Sequence, residues 1–469
     1  MAFLIGGANS AAADDAYEVA NSCRFNDGDS AYMHKALGTP TSTKIGTLST
    51  WFKRGQLDQE MNLLGAETDT NSRGYLQLDD GVDGILHFWW EEGSTVTSLK
   101  TNRLLRDISA WYHVVVAYDT SQSTASNRVK IYINGVQETS FGTETYPPQD
   151  NITCPWNIDG YNTSVGAQKG GAGSYGTFFD GYQAETVFID GLQLGADSFG
   201  EFDSDSPTIW KPIDVSGLTF GNNGYYLDYE SSGNLGNDAN GGTDFTEVNL
   251  AAADQATDSP TNNFCTLNTL VPTTGFTFSE GNCKMVSGGS DTKGGGIGTF
   301  GLTAGKWWWE IKMASTLGNH THGVISELTT ELTTVGGASA LQNDTGVTQF
   351  RNDDGGEMNK DGTQTTADYG TFDDGDIMGI AFNADDNEIS IYDNGSAIVS
   401  DFTISTTRGA IFPFFGSGIS TTFEINFGGC SSFAISSAAN DANGYGVFEH
   451  APPSGYLALC SKNLGSDGG

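Results

Sequence analysis

The sequence predicts an all-β protein: two antiparallel, jelly-roll-type β-sandwiches joined by an ordered connector rich in Gly, Asn and Asp. Three observations carry that expectation. Short runs alternate apolar and polar residues with the period of two that places every second side chain on one sheet face, as in Val129, Ile131 and Ile133. Turn formers fill much of the rest, with 63 Gly in the chain and Asn-Gly pairs at 134–135 and 394–395 that favour tight hairpins. Finally, 469 residues exceed what one core ordinarily serves, and the strand-like runs fall into two sets on either side of a turn-rich stretch.

Taken in order, residues 1–14 form a leader in which Phe3, Leu4 and Ile5 make a short apolar patch. Its apolar run is too short for a signal peptide and lacks a basic start. Burying the patch needs a partner, which marks Phe3, Leu4 and Ile5 as attachment or oligomer contacts. Residues 15–205 are expected to form the first sandwich, with Leu48, Trp51 and Phe52 as inward residues and Leu86, Phe88 and Trp90 on one face. Within it WYHVVVAYD (111–119) and RVKIYING (128–135) read as two strands, the second ending on its Asn-Gly turn.

Residues 206–268 have the composition of turns, yet Phe220, Tyr225, Tyr226, Leu227, Tyr229, Phe245, Leu250, Phe264 and Leu267 recur through them. That is more apolar matter than a free tether carries, so the stretch is expected to be ordered and packed between the domains. Residues 269–469 form the second sandwich with a C-terminal tail, through GKWWWEIKM (305–313), GDIMGIAFN (375–383), EISIYDNG (388–395), IFPFF (411–415) and FEINF (423–427).

The net charge of −37, from 58 acidic residues against 21 Lys and Arg, argues against nucleic-acid binding, which needs a basic patch. No run approaches the roughly 20 apolar residues of a membrane span, so no membrane partner is expected. The six Cys are scattered without metal-site spacing and read as small buried residues, kept reduced in the cytoplasm where the chain is made.

Several of these runs resemble known families. WYHVVVAYDT, NRVKIYINGV and FFDGYQAETVFIDG are similar to the laminin-G and pentraxin branch of the concanavalin A-like lectins. The GK-x-aromatic-W-E strand, the G-D-x-hydrophobic-G strand and the P-F-F strand resemble a SPRY domain, with a triple Trp as the departure. The stretch GYYLDYESSGNLGNDANGGTDFTEVNLAAADQATDSPTNNFCTLN, with SCRFNDGDSAYM and TLSTWFKRG before it and APPSGYLALCSKNL after it, resembles virion proteins of marine bacteriophages. The resemblance implies a non-enzymatic tail-fibre or spike component, assembled in the host cytoplasm and placed on the virion. Its partners would be other virion proteins, further copies of itself as a trimer, and a host-surface glycan or protein. The alternatives are an architectural capsid or tail decoration and, less favoured, a polysaccharide hydrolase.

The residues decide among these only in part. A glycosidase needs two carboxylates that face one cleft. The nearest approach, Glu185 and Asp190, is five apart on a strand and so falls on opposite faces, leaving no catalytic residue to name. Tyr161 and Tyr175 in Gly-rich loops are candidate ligand contacts, or only turn residues. Trp307 and Trp309 share a face with Ile311 and read as core, while Trp308, on the Glu310 and Lys312 face, is either core or a sugar platform. No cofactor is implied. His320 and His322, two apart, would hold a transition metal on a trimer axis or stand in solvent, and the Asp clusters at 79–83, 353–354, 373–376 and 385–387 either bind Ca2+ or serve turns.

Overall fold

In the computed structural model the described residues are 4–5, 17–57, 59–69, 72–79, 84–152, 154–169, 173–271, 275–288, 295–315, 318, 320–329, 345–352, 355–407 and 409–467. The chain divides into two compact units, residues 16–261 and residues 262–469, the second taking in residues 1–15.

The first unit is built on two eight-stranded antiparallel sheets. In the first, the strands run in the order Val136–Gln137, Val129–Ile133, Tyr112–Asp119, Ile45–Arg54, Gly181–Asp190, Ser22–Phe25 and Gln255–Ala256, with Tyr225–Leu227 also paired to Gly181–Asp190. In the second the order is Phe141–Thr145, Thr95–Leu104, Ile85–Glu92, Ser72–Asp79, Met61–Asp69, Asn162–Val165, Tyr32–Ala36 and Thr246–Val248. The alternation foreseen at Val129, Ile131 and Ile133 buries these three and leaves Lys130 and Tyr132 half-buried. Leu48, Phe52, Val114, Val116, Leu76, Leu86, Phe88 and Trp90 belong to the core cluster between the sheets. Trp51, expected to point inward with its neighbours, is buried instead on the other face of its strand, with Val19 and Ala184. At 134–135 the Asn-Gly pair takes φ of 48° and 77°, the two left-handed residues that a tight hairpin turn requires.

The stretch 206–268, expected to connect the sandwiches, instead divides at Thr261. Up to that residue it closes the first sandwich, because its aromatic and aliphatic residues find burial there: Tyr225, Leu227, Tyr229, Leu235 and Phe245 all join the first core. Three of its segments add strands, with Thr246–Val248 on Tyr32–Ala36 and Gln255–Ala256 on Ser22–Phe25 besides Tyr225–Leu227. Beyond Thr261, Phe264 bridges to Cys460 and Leu267 to Gly298 within the second unit.

The second unit pairs an eight-stranded sheet with a six-stranded one. Lys306–Ser315 lies near the middle of the larger sheet, between Ser420–Asn426 and Ile377–Asn383; His320–Ser326 lies in the smaller, between Ile411–Ser417 and Val347–Arg351. Trp307, Trp309 and Ile311 are core, as their shared parity predicts. The Leu4–Ile5 backbone runs parallel to Phe300–Gly301. Phe3 and the side chains of Leu4 and Ile5 lie outside the described residues.

Candidate ligand-binding face

In the second sheet of the first unit, Leu76, Leu78, Leu86, Phe88 and Trp90 point into the core, so Tyr75, Gln77, His87 and Trp89 point to the outer face. Register places one row across this face: His34, Ser164, Gly65, Tyr75, Trp89 and Ser98 on six successive strands. At its middle the small residues Gly65 and Ser164 leave room for the Ala167 carbonyl, which accepts hydrogen bonds from Ser164 Oγ at 2.7 Å and Asn62 Nδ2 at 2.7 Å. Aromatic groups stand on either side of that floor. Tyr75 stacks on Trp89 with centroids 4.8 Å apart, and Arg73 lies 5.1 Å over the Trp89 ring. Across three strand spacings, roughly 14 Å, Tyr175 stacks on Tyr32 at 4.3 Å and lies 5.3 Å from His34. Tyr32, Tyr75, Trp89 and Tyr175 are all half-buried, so their rings are held by the protein and remain open to solvent.

Three acids of this face, Asp79, Glu91 and Glu60, have side-chain partners. Lys100 Nζ is hydrogen-bonded to Asp79, Arg73 lies 3.9 Å from Glu91, and Gln77 Nε2 donates to Glu60 at 2.5 Å. His87 sits 3.7 Å from Asp79, but burial, with Lys100 beside it, pushes the imidazole down to about 4, so it is neutral at neutral pH and this contact is no ion pair. Burial pushes the Tyr175 hydroxyl up to about 12, keeping it an uncharged donor.

The structure places the sequence-predicted residues as follows. Tyr175 belongs to this face, whereas Tyr161 is half-buried with its hydroxyl 3.4 Å from Glu92. Trp308 is not a sugar platform: it is 1% exposed, packed with Phe264, Phe448 and Ala458 and edge-on to Tyr392. The Glu310 face was legible as a second face, but the C-terminal segment covers it, with Glu310 accepting from the Glu449 and His450 backbone N–H groups. His320 and His322 do share a face, and it is the buried one. At 2% and 0% exposure, against Phe415 and Phe423, they reach no oligomer axis, which removes the proposed shared metal. Among the described residues no three His, Cys, Asp or Glu gather as a metal site. Asp376 and Asp385 instead accept local hydrogen bonds, from Asn394 and from the Gly305 backbone. Residues 80–83, 353–354 and 170–172 lie outside the described residues.

Parity alone missed a feature on the opposite sheet. The Gly181–Asp190 strand carries a bulge between Ala184 and Val187, and Glu185 takes φ of +49°, a strained conformation for a residue with a side chain. Its carboxylate accepts from the Tyr226 hydroxyl at 2.9 Å and from the Tyr17 hydroxyl at 3.1 Å, and burial pushes its pKa up to about 7. Asp190 is held in a different network, by the Thr41 and Ser42 backbone N–H groups and Asn157. The two acids therefore do not converge on one bond. Ser49 and His113, 2.9 Å apart, are no nucleophile and base either. The Trp210 indole N–H donates to His113 Nδ1 at 3.0 Å, so the ring proton sits on Nε2 and faces the hydroxyl.

Comparison with known proteins gives a family match within each unit. Residues 26–190 match the family model described as the concanavalin A-like lectin/glucanases superfamily, and residues 306–430 match that of the SPRY domain. Among solved structures, the chain is similar to a heptameric SAP-like pentraxin of Limulus polyphemus at 15% identity, covering 38% of this chain and 80% of that one with a TM-score of 0.29. It is similar to the SPRY domain of human HERC1 at 16% identity, covering 37% and 96% with a TM-score of 0.25. A third likeness is to domain 4 of AbnA, an extracellular arabinanase of Geobacillus stearothermophilus, at 19% identity, covering 34% and 67% with a TM-score of 0.27. No curated protein matches the chain. The two family matches fall one on each sandwich, and the chain carries a concanavalin A-like lectin/glucanase domain followed by a SPRY domain.

Proposed function

We propose that this chain is a non-catalytic adhesive protein of a tailed-phage virion, a fibre or spike component that binds a host-surface glycan or protein through the outer face of its lectin-like sandwich. The observation that carries the binding reading is the pair of half-buried ring stacks, Tyr75 with Trp89 and Tyr32 with Tyr175, on one face about three strand spacings apart. Rings fixed in this way stack on the apolar faces of sugars at little entropic cost, and the polar groups between them supply orientation. The absence of catalysis is supported by the acids: Glu60, Asp79 and Glu91 on this face are paired with an amide or a base, and Glu185 and Asp190 sit in separate networks. The virion setting is supported by the sequence resemblance of the 224–268 stretch and of both ends of the chain.

A glycan array and host-cell binding assay test the reading. The intact protein should bind, and Trp89→Ala with Tyr175→Ala should lower that binding at least tenfold without lowering the melting temperature of the first unit by more than a few degrees. Binding that survives both substitutions would place recognition elsewhere. Antibody against the chain should decorate tailed particles, and label confined to cell debris would refute the virion setting.

A further inference from the structure

A second recess lies on the other sheet of the first unit, on its outer face. The Val129–Ile133 and Val136–Gln137 hairpin, the Ala196–Ser198 turn and the Gly200–Phe202 and Trp210–Pro212 hairpin enclose an open cleft of about 540 Å³, within the range of small-ligand sites. Three rings line it: Tyr132, Phe202 and Trp210. Trp210 is fixed by its hydrogen bond to His113 and by two glycines built around it, since a Cβ on Gly135 or Gly200 would come within 2.3 or 2.6 Å of the indole. Phe202 stands edge-on to Trp210 at 4.9 Å and yet is 43% exposed, an apolar ring presented to solvent at the mouth.

The charge around these rings is one-sided. Glu201 and Asp203 pair with Lys211, at 3.3 Å and 3.4 Å, and Asp197 adds a third carboxylate at the cleft. Asp197 is exposed, and its carboxylate has no hydrogen bond or ion pair among the described residues. It is close enough to Tyr132 to add to the effect of burial in raising the proton affinity of that hydroxyl. Anions are repelled by three carboxylates against one ammonium. A neutral sugar would use the rings and leave Asp197 unanswered. A cation beside an apolar surface uses both, because ring faces attract positive charge and the carboxylate pairs with it.

We propose that this cleft binds a glycan bearing unacetylated amino groups, its ammonium directed at Asp197 and the carbon face of its ring laid against Phe202 and Trp210. The site is separate from the ring stacks on the opposite sheet, so its occupancy does not depend on theirs. It also gives the acidic surface of the chain, formally −37 overall, a partner of matching sign.

Calorimetric titration of the full-length chain with a glucosamine tetramer, an N-acetylglucosamine tetramer and spermidine tests the proposal. The glucosamine tetramer should bind, at least tenfold tighter than its acetylated counterpart, and weaken as salt is raised. Asp197→Asn and Phe202→Ala, both at exposed positions, should each lower that affinity at least fivefold with the melting temperature unchanged. Equal binding of the acetylated tetramer, no binding of the glucosamine tetramer, binding of spermidine alone, or affinity indifferent to both cleft substitutions would each overturn it.

Discussion

Single residues set opposite pH responses in the two units. Glu185 is 5% exposed, and its folded-state pKa of about 7 lies above the ordinary carboxylate value near 4.5. The folded chain therefore keeps a proton that the unfolded chain has lost, and the contribution of this group, present below about pH 4.5, is lost as pH rises through 7. Over that window the loss amounts to about 3 kcal/mol. Glu185→Gln keeps an acceptor for the Tyr17 and Tyr226 hydroxyls and removes the titration. Relative to the wild type it should stabilise the first unit by about 1–3 kcal/mol at pH 8, gain nothing at pH 4, and leave ligand binding unchanged. A difference that did not vary with pH, measured by denaturant unfolding, would refute this.

In the second unit burial lowers the pKa of His320 to about 4 and that of His322 well below 6.5. Their neutral forms are the folded ones, so stability present above about 6.5 is lost as pH falls. His322→Phe, at a site already walled by Phe415 and Phe423, should reduce that loss between pH 6.5 and 4. An unchanged pH slope for the second unit would contradict it.

At the scale of elements, the sequence was legible where a strand is long enough to show its period or ends in a turn with fixed chemistry. Val129–Ile133, the Asn-Gly hairpins and the core faces of Trp307 and Trp309 follow from parity and positive φ alone. Parity says which side chains share a face and not what covers that face. This is why Trp308 and the His320 and His322 pair remained open: their faces are closed by segments distant in sequence, the C-terminal stretch around Phe448 and the Ser420–Asn426 strand carrying Phe423. Strands of two or three residues show no period, so Tyr225–Leu227, Thr246–Val248 and Gln255–Ala256 passed for a connector. The ring stacks are hidden for a different reason, since Tyr75 meets Trp89, and Tyr32 meets Tyr175, only through tertiary pairing; of the four, the sequence singles out Tyr175 alone. Ending the first unit at residue 205 would remove those three strands together with Tyr225, Tyr229 and Phe245 from the core. A fragment 16–261 should thus unfold cooperatively, and a fragment 15–205 should be insoluble or lack a cooperative transition. A folded 15–205 fragment would restore the connector reading.

For the whole molecule, the strong negative charge makes close approach of copies costly at low salt, so association needs apolar contact to offset it. We propose that the leader supplies it, assembling a trimer through Phe3, Leu4 and Ile5. Sedimentation of the intact chain should report a trimer that strengthens with salt, and removal of residues 2–13 should give a folded monomer. An intact chain that sediments as a monomer, or a truncated one that remains trimeric, would refute the proposal.

We propose that the lectin-like sandwich recognises its ligand without transforming it. Prolonged incubation with the glycan that binds best, followed by chromatography of the sugar, tests this most directly. The account predicts saturable binding, lost in the Trp89→Ala, Tyr175→Ala double variant, with the glycan recovered at its original length. Newly released reducing ends that disappear in Glu185→Gln would contradict it.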